Sequence, residues 1–379
     1  MAVIYQKNNS FTKLNIKNNE NLKYESINDE IKNFITEELK TNNNEILNKI
    51  LSEIKNKETS DNSKFNLTKN VIAEYQCLND ENKINYLINR YKYEVYPKEK
   101  ILNEYPPLVQ IEPTSMCNYR CIFCYQTDDV FNKKKSGHMG HMKFDLYKKI
   151  IDEIENNVQF VTLASRGEPL MSPDFAKMMD YSKDKFINFK INTNASMLNE
   201  SKIHSILKNN ISTLVFSADA ADGESYKKYR VNGNLEKVLN NIRLFNTIKN
   251  KDYPESRIIT RVSGVKYSEE QDLNEMQDFW GELVDQVAFV NYLPWENVYN
   301  TDKNEILTPC SDLWRRMFVW WDGKANPCDV DYKSELSVGN ANEYTVKELW
   351  NSENYNNLRL MHLNKLRNKQ SPCNKCSLI

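Results

Sequence analysis

With 379 residues, 51 Lys and Arg against 52 Asp and Glu, the chain is long enough for one large catalytic domain plus smaller modules and has a formal charge of −1. That balance gives no reason to expect a nucleic-acid or anionic-membrane partner. A mean hydropathy of −0.71, apolar runs as short as 158–164 and 317–321, and an opening MAVIYQKNNS without a basic segment before an apolar core predict a cytoplasmic protein with neither membrane span nor secretory signal.

In chain order, residues 1–100 carry helical periodicity and almost no glycine. Ile31, Phe34, Ile35, Ile46, Leu47, Ile50, Leu51 and Ile54 recur at three- and four-residue intervals, and the polar stretch 57–64 reads as a loop between helices. No strand pattern shows there, so an α-helical accessory region or cap is expected, with a peptide-binding module as the alternative. Residues 101–300 differ. Short apolar runs at 109–112, 160–163, 189–192, 213–217, 258–262 and 287–291 alternate with helical segments at 146–155, 174–183, 202–208, 235–247 and 273–280. Such alternation predicts an α/β fold of parallel strands and right-handed crossovers. Six units leave a TIM-like barrel incomplete, a partial (β/α)6 barrel whose function should sit at the C-terminal strand ends. Residues 301–379 form a small third region. There 318–321, an Asp322-Gly323 turn and 324–330 read as a β-hairpin, and Thr345 with Glu348 opens a helix.

The eight cysteines are the most informative residues. Intracellular thiols stay reduced, so tight Cys groups point to metal before disulfides. Cys117, Cys121 and Cys124 form C-x3-C-x2-C within EPTSMCNYRCIFCYQTD, directly after the first expected barrel strand. Three thiolates can hold three irons of a [4Fe–4S] cubane and leave the fourth iron open, whereas zinc would need a fourth ligand from Cys77 or a histidine. Cys310, Cys328, Cys373 and Cys376 follow at spacings of 18, 45 and 3. Four thiolates can close a second [4Fe–4S] cluster or a zinc site. Cys77 is left over, in an amphipathic helical segment, and reads as a structural cysteine.

C-x3-C-x-aromatic-C after the first strand, with Phe123 at the aromatic position, resembles the signature of the radical S-adenosylmethionine (SAM) superfamily. The resemblance implies that the open iron chelates SAM and that reductive cleavage yields a 5′-deoxyadenosyl radical able to abstract hydrogen. A reductase such as flavodoxin or ferredoxin would supply the electron. Arg166-Gly167-Glu168-Pro169, after the second strand, is similar to the family's Gly-Gly-Glu-Pro motif for the SAM amino group, with Arg166 in place of the first glycine. By the same resemblance Asn192 and Asn194 end the third strand as polar contacts, and Ser217-Ala218-Asp219 stands where a ribose motif lies. Arg230 matches an arginine that pairs with the SAM carboxylate. Ser263 and Asn291 end the fifth and sixth strands near the adenine position. The last region resembles the SPASM/twitch extension; with one C-x2-C before the chain ends at Ile379, the twitch form with one auxiliary cluster is expected.

Similarity to aminocyclitol dehydrogenases and to twitch-type proteins associated with surface glycans implies a carbohydrate-like small-molecule substrate. The expected reaction is oxidation, or epimerisation, of a carbinol carbon in a sugar, cyclitol or nucleotide-sugar intermediate, with the auxiliary cluster as electron acceptor. Epimerisation needs a thiol to return hydrogen, and Cys77 is the only one outside both groups, so dehydrogenation is preferred. Glu296, Asp219 and Arg261 lie near expected strand ends as candidate proton acceptors; His138 and His141 read as loop histidines. Two alternatives stay open: a radical SAM peptide maturase with residues 1–100 gripping a leader, and a non-catalytic iron–sulfur or zinc-binding protein.

Overall fold

Apolar runs of four or five residues make stable parallel strands only when both faces are covered, and Leu108–Ile111, Phe160–Leu163 and nearly all of Thr213–Ser217 are buried along their length. The computed structural model describes residues 11, 13–17, 24–59 and 63–379. The segment read for a secretory signal and the middle of the 57–64 stretch fall outside them. In chain order the strands are β1 (Lys13–Ile16), β2 (Leu108–Ile111), β3 (Arg120–Cys121), β4 (Phe160–Leu163), β5 (Asn188–Thr193), β6 (Thr213–Ser217), β7 (Arg230–Val231), β8 (Ile259–Lys266), β9 (Gln286–Asn291), β10 (Arg316–Val319), β11 (Lys324–Asn326) and β12 (Gly339–Asn340). The helices are α1 (Tyr24–Thr41), α2 (Glu45–Thr59), α3 (Lys69–Gln76), α4 (Asp80–Glu99), α5 (Phe144–Ile154), α6 (Phe175–Tyr181), α7 (Glu200–Leu207), α8 (Gly223–Tyr229), α9 (Leu235–Asp252), α10 (Leu273–Gly281), α11 (Val346–Trp350) and α12 (Glu353–Leu363).

One ten-stranded sheet runs β1-β9-β8-β6-β5-β4-β2-β10-β11-β12. The six expected barrel strands all form and pair in parallel, from β2 through β4, β5, β6 and β8 to β9. Helices between them start on short polar caps. Asn199, Asp222, Asn234 and Asp272 each accept backbone N–H bonds from the first turn of α7, α8, α9 and α10. The Thr345/Glu348 capping box at α11 forms as the sequence implies.

Two connections were not legible. The lack of a pattern before residue 100 predicts no strand there, yet β1 pairs antiparallel with β9, Lys13 opposite Phe289 and Ile16 opposite Gln286. A four-residue, half-exposed edge strand is too short to show alternation. The C-terminal hairpin is also joined to the barrel: β10 pairs in parallel with β2, Arg316 opposite Leu108 and Val319 opposite Ile111. Helices α1–α4 pack around Ile31, Ile35, Leu47, Ile50, Val71 and Tyr86, and this core extends onto Leu108 and Phe160. Those two residues begin β2 and β4, so the helical unit caps the N-terminal end of the barrel.

Candidate active site

The loop after β2 is held from three directions. The β3–β7 ladder sets Cys121 opposite Arg230. Arg120 donates through Nη1 to the carbonyls of Cys117 and Tyr119 at 2.8 and 2.7 Å. Gln126, buried, donates to the carbonyl of Ser115 at 2.8 Å and to that of Arg166. Gly167 closes the loop from above. A Cβ there would stand 2.2 Å from the Thr114 carbonyl oxygen and 2.7 Å from that of Met116, so only glycine allows this approach.

Within this frame Cys117, Cys121 and Cys124 sit side by side at the wall of a cavity of about 750 Å³. Burial, with Glu168 nearby, pushes the Cys117 thiol up to about 12; burial and the neighbouring Cys121 and Cys117 also raise Cys124. Three desolvated thiols that disfavour one another's ionisation form a donor set that fits a cationic group. Among the described residues no three His, Cys, Asp or Glu side chains are close enough to share one metal ion. A cubane, in which each iron takes its own Cys, accepts a wider spacing than a single tetrahedral zinc.

Most residues singled out by resemblance reach the same cavity. Phe123, Gly167, Glu168, Asn192, Asn194, Ser217, Arg230, Ser263 and Asn291 all line it. Arg230 lies at 3.7 Å from Cys121 Sγ through Nη1, and its guanidinium is 5.9 Å from the Phe123 ring centre. Glu168 accepts from Thr193 Oγ1 at 2.6 Å, Asn194 N at 2.7 Å and Leu170 N at 3.1 Å. Pro169 opens the short 3-10 turn behind it. Asp219 is not among the lining residues. It is fully buried, ion-paired with Arg230 Nε and bonded to Val265 N at 2.6 Å, so its carboxylate orients the arginine and does not face the cavity.

The second cysteine group also assembles. Burial, neighbouring Asp329 and the partners Cys376 and Cys310 raise Cys328; burial, Cys376 and Cys310 raise Cys373. Two residues that spacing did not reveal hold it. Arg367, 1 % exposed, donates to the carbonyls of Cys376 at 2.6 Å, Cys373 at 3.3 Å and Thr308 at 3.1 Å. His362 accepts from Cys310 N at 3.1 Å, and burial pushes its imidazole down to about 3. Between the two groups lies an apolar wall of Tyr125, Phe131, Val298, Val330, Tyr332 and Leu378, with Cys124, Cys328 and Cys376 packed against it. Tyr125 stacks on Tyr332 at 5.0 Å and 24°. Val330 and Leu378 also line the cavity.

Glu296, Arg261 and the leftover thiol Cys77 lie apart from one another. Glu296 is not among the lining residues but follows one of them, Trp295, in a 3-10 turn, where burial raises its carboxyl despite a bond from Tyr292. Its Oε2 is buried and has no hydrogen-bond partner. Arg261 lines the floor, not the strand end. Cys77 caps the C-terminus of α3 and does not line the cavity. His138 stacks on Phe131 at 5.5 Å, and His141 bridges to Thr114 in the loop.

Residues 111–279 match the radical SAM superfamily, and residues 310–377 match the iron–sulfur cluster-binding domain called SPASM. The chain is 26% identical over 150 residues to an AdoMet-dependent heme synthase of Methanosarcina barkeri, covering 39% of this chain and only 41% of that relative's length. It is 22% identical over 327 residues to the tungsten-containing aldehyde ferredoxin oxidoreductase cofactor-modifying protein of Pyrococcus furiosus, covering 71% and 86%. Among solved structures, Streptococcus suis SuiB bound to precursor peptide SuiA superimposes with a TM-score of 0.55 at 19% identity, over 78% of this chain and 75% of that one, a likeness of fold. Among the described residues no helix is long and apolar enough to cross a membrane.

Proposed function

This chain is a radical SAM superfamily enzyme with a C-terminal SPASM-type iron–sulfur domain, and on that premise we propose that it oxidises a carbinol carbon of a sugar, cyclitol or nucleotide-sugar to a ketone. Cys117, Cys121 and Cys124 would hold the cluster that binds SAM, and Cys310, Cys328, Cys373 and Cys376 the auxiliary one. Reductive cleavage of bound SAM supplies the radical that takes a hydrogen atom from the substrate. Arg230, aimed by Asp219, would receive the SAM carboxylate, and Glu168 would face its amino group.

The observation that carries the reading is the shared apolar wall. Val330 and Leu378 face the cavity while Cys328 and Cys376 pack on the same cluster of side chains. A substrate radical beside that wall needs to lose one proton and one electron to become a ketone. Glu296, with a buried unpartnered oxygen, is the candidate for the proton; the four-thiol group lies behind the wall for the electron. Inversion of the carbon would instead require a thiol in the cavity beyond the three proposed cluster ligands, and Cys77 does not line it. Peptide modification is the competing reading, since a solved relative of similar fold carries a precursor peptide.

Anaerobic reconstitution should give close to eight irons per chain, from two cubanes of four, and 5′-deoxyadenosine on reduction with SAM. With polyol or nucleotide-sugar substrates deuterated at the reacting carbon, label should pass into deoxyadenosine and a carbonyl should form. Solvent deuterium at an inverted carbon, or turnover only with a peptide, would overturn the proposal.

A further inference from the structure

The inward layers of a closed barrel are ordinarily filled by branched apolar side chains. Here they are polar. Gln110, Thr162 and Lys190 stand side by side across β2, β4 and β5, each opposite the next in register. Asn192 and Arg261 flank Val215 one layer on, and Arg316 reaches across from β10 toward Gln110 Oε1 at 3.5 Å. All of these face the cavity, at the end away from the three-thiol loop.

The charges at this floor do not cancel. Arg261 is fixed by Gln286 Oε1 at 2.7 Å and by Asn70, with Glu74 at 3.9 Å; Glu74 is equally close to Arg90, whose nearer partner is Glu94 at 2.7 Å. Arg316 has Asp312 at 2.9 Å, which also serves Arg315 at 2.9 Å, and Arg316 Nε is buried without a hydrogen-bond partner. Lys190 has no ion pair among the described residues. Burial and the adjacent Arg261 push its ammonium down to about 8, against Glu74 alone among acids. Asp329 and Glu168 are the carboxylates on the cavity wall, and Asp329 acts on Arg316 from the side of the second thiol group. Lys190, Arg261 and Arg316 thus converge on the cavity, with Glu74, Asp312 and Asp329 set against these three and Arg315. Their positions are fixed by strands and second partners before any ligand arrives.

We propose that Lys190, Arg261 and Arg316 form an oxyanion-binding floor that anchors a phosphate or carboxylate group of the substrate, leaving its reacting carbon toward the three-thiol end. This rests on reading the cavity as the substrate site. Two guanidinium forks and one compact ammonium suit a phosphoryl group best, and the anchor would fix which carbon meets the radical.

The test is calorimetric titration of the reconstituted full chain in phosphate-free buffer, saturated with SAM so that Arg230 is already engaged. Inorganic phosphate, acetate and glycerol are the probes. Saturable binding of phosphate, or of acetate, at least ten-fold tighter than any heat from glycerol is expected; which of the two anions binds more tightly identifies the group. Lys190→Met should weaken it ten-fold or more and Lys190→Arg by less, with SAM affinity and iron content unchanged. Arg316→Gln is the second variant, should Lys190→Met not fold, and the same ten-fold loss is expected. No anion preference, or a preference that neither variant moves, overturns the floor. If anion binding fails while deoxyadenosine and ketone still form, the oxidation stands without it. If anion binding holds and no ketone forms, the oxidation reading falls and the site remains.

Discussion

Replacing Arg166 by Gln should destabilise the fold by about 3–5 kcal/mol, the range for breaking a buried ion pair from one side. Arg166 is 3 % exposed, and its partner Glu112 is completely buried. Nε and Nη2 donate to the two carboxylate oxygens at 2.8 and 2.6 Å, and Nη1 donates to the Tyr332 carbonyl at 2.9 Å. The guanidinium also lies 4.2 Å from the Trp320 ring centre. Glutamine cannot span these partners, so Glu112 keeps its burial and loses its counter-charge. Unfolding entropy of roughly 2.1 cal/mol/K per residue gives about 0.8 kcal/mol/K over this chain, so a loss of about 4 kcal/mol lowers the melting temperature by about 5 °C. Thermal and urea unfolding of Arg166→Gln, Glu112→Gln and the double variant provide the assay. Because each single change strands a charge that the double removes, the double should be milder than the sum by about 1–3 kcal/mol. A single-variant loss below about 1 kcal/mol, or strict additivity, would refute the reasoning.

Three further outcomes are expected. Gly167→Ala forces a Cβ into the Thr114 and Met116 carbonyls; iron retention at the first group should drop, with about 1–3 kcal/mol of destabilisation, read by iron analysis and melting. Cys117→Ala should abolish deoxyadenosine formation, whereas Cys328→Ala should still form it without ketone, as chromatography of both products would reveal. Burial acts to raise Asp128, but hydrogen bonds from Lys333, the Phe131 N–H and Tyr332 outweigh it and hold the carboxyl down to about 2. Its contribution is therefore full above the ordinary Asp value near 3.9 and is lost as pH falls toward 2. Asp128→Asn should flatten that part of the stability-versus-pH curve, measured by urea midpoints between about pH 5 and pH 2.

How far the sequence could be read depended on where each signal lies. β4 and β6 match their apolar runs to the residue, because both are buried along their length and end in polar loops. β8 was anticipated at 258–262 but extends to Lys266, since its inward residues Arg261 and Ser263 face a cavity and break the apolar pattern. Local spacing separates the seven grouped cysteines from Cys77 without knowledge of the fold. It could not reveal Arg367 or His362, which act on backbone groups that no side-chain pattern marks, nor Lys190, whose surroundings come from other strands. The Asp219 position was legible while its direction was not: a carboxylate at a strand end can face a ligand or a guanidinium, and only the antiparallel β3–β7 pairing decides.

The additions at either end of the barrel sheet have a mechanical consequence. β1 occupies the outer edge of β9, and β10 that of β2, so the six-stranded arc presents neither of its own margins and the sheet's edges move out to the short strands β1 and β12. They work as bookends: with these partners in place β9 and β2 cannot pair with each other to close the arc into a ring. Stripping away either terminal region would bare a sticky margin, and the shortened chain should then self-associate along it.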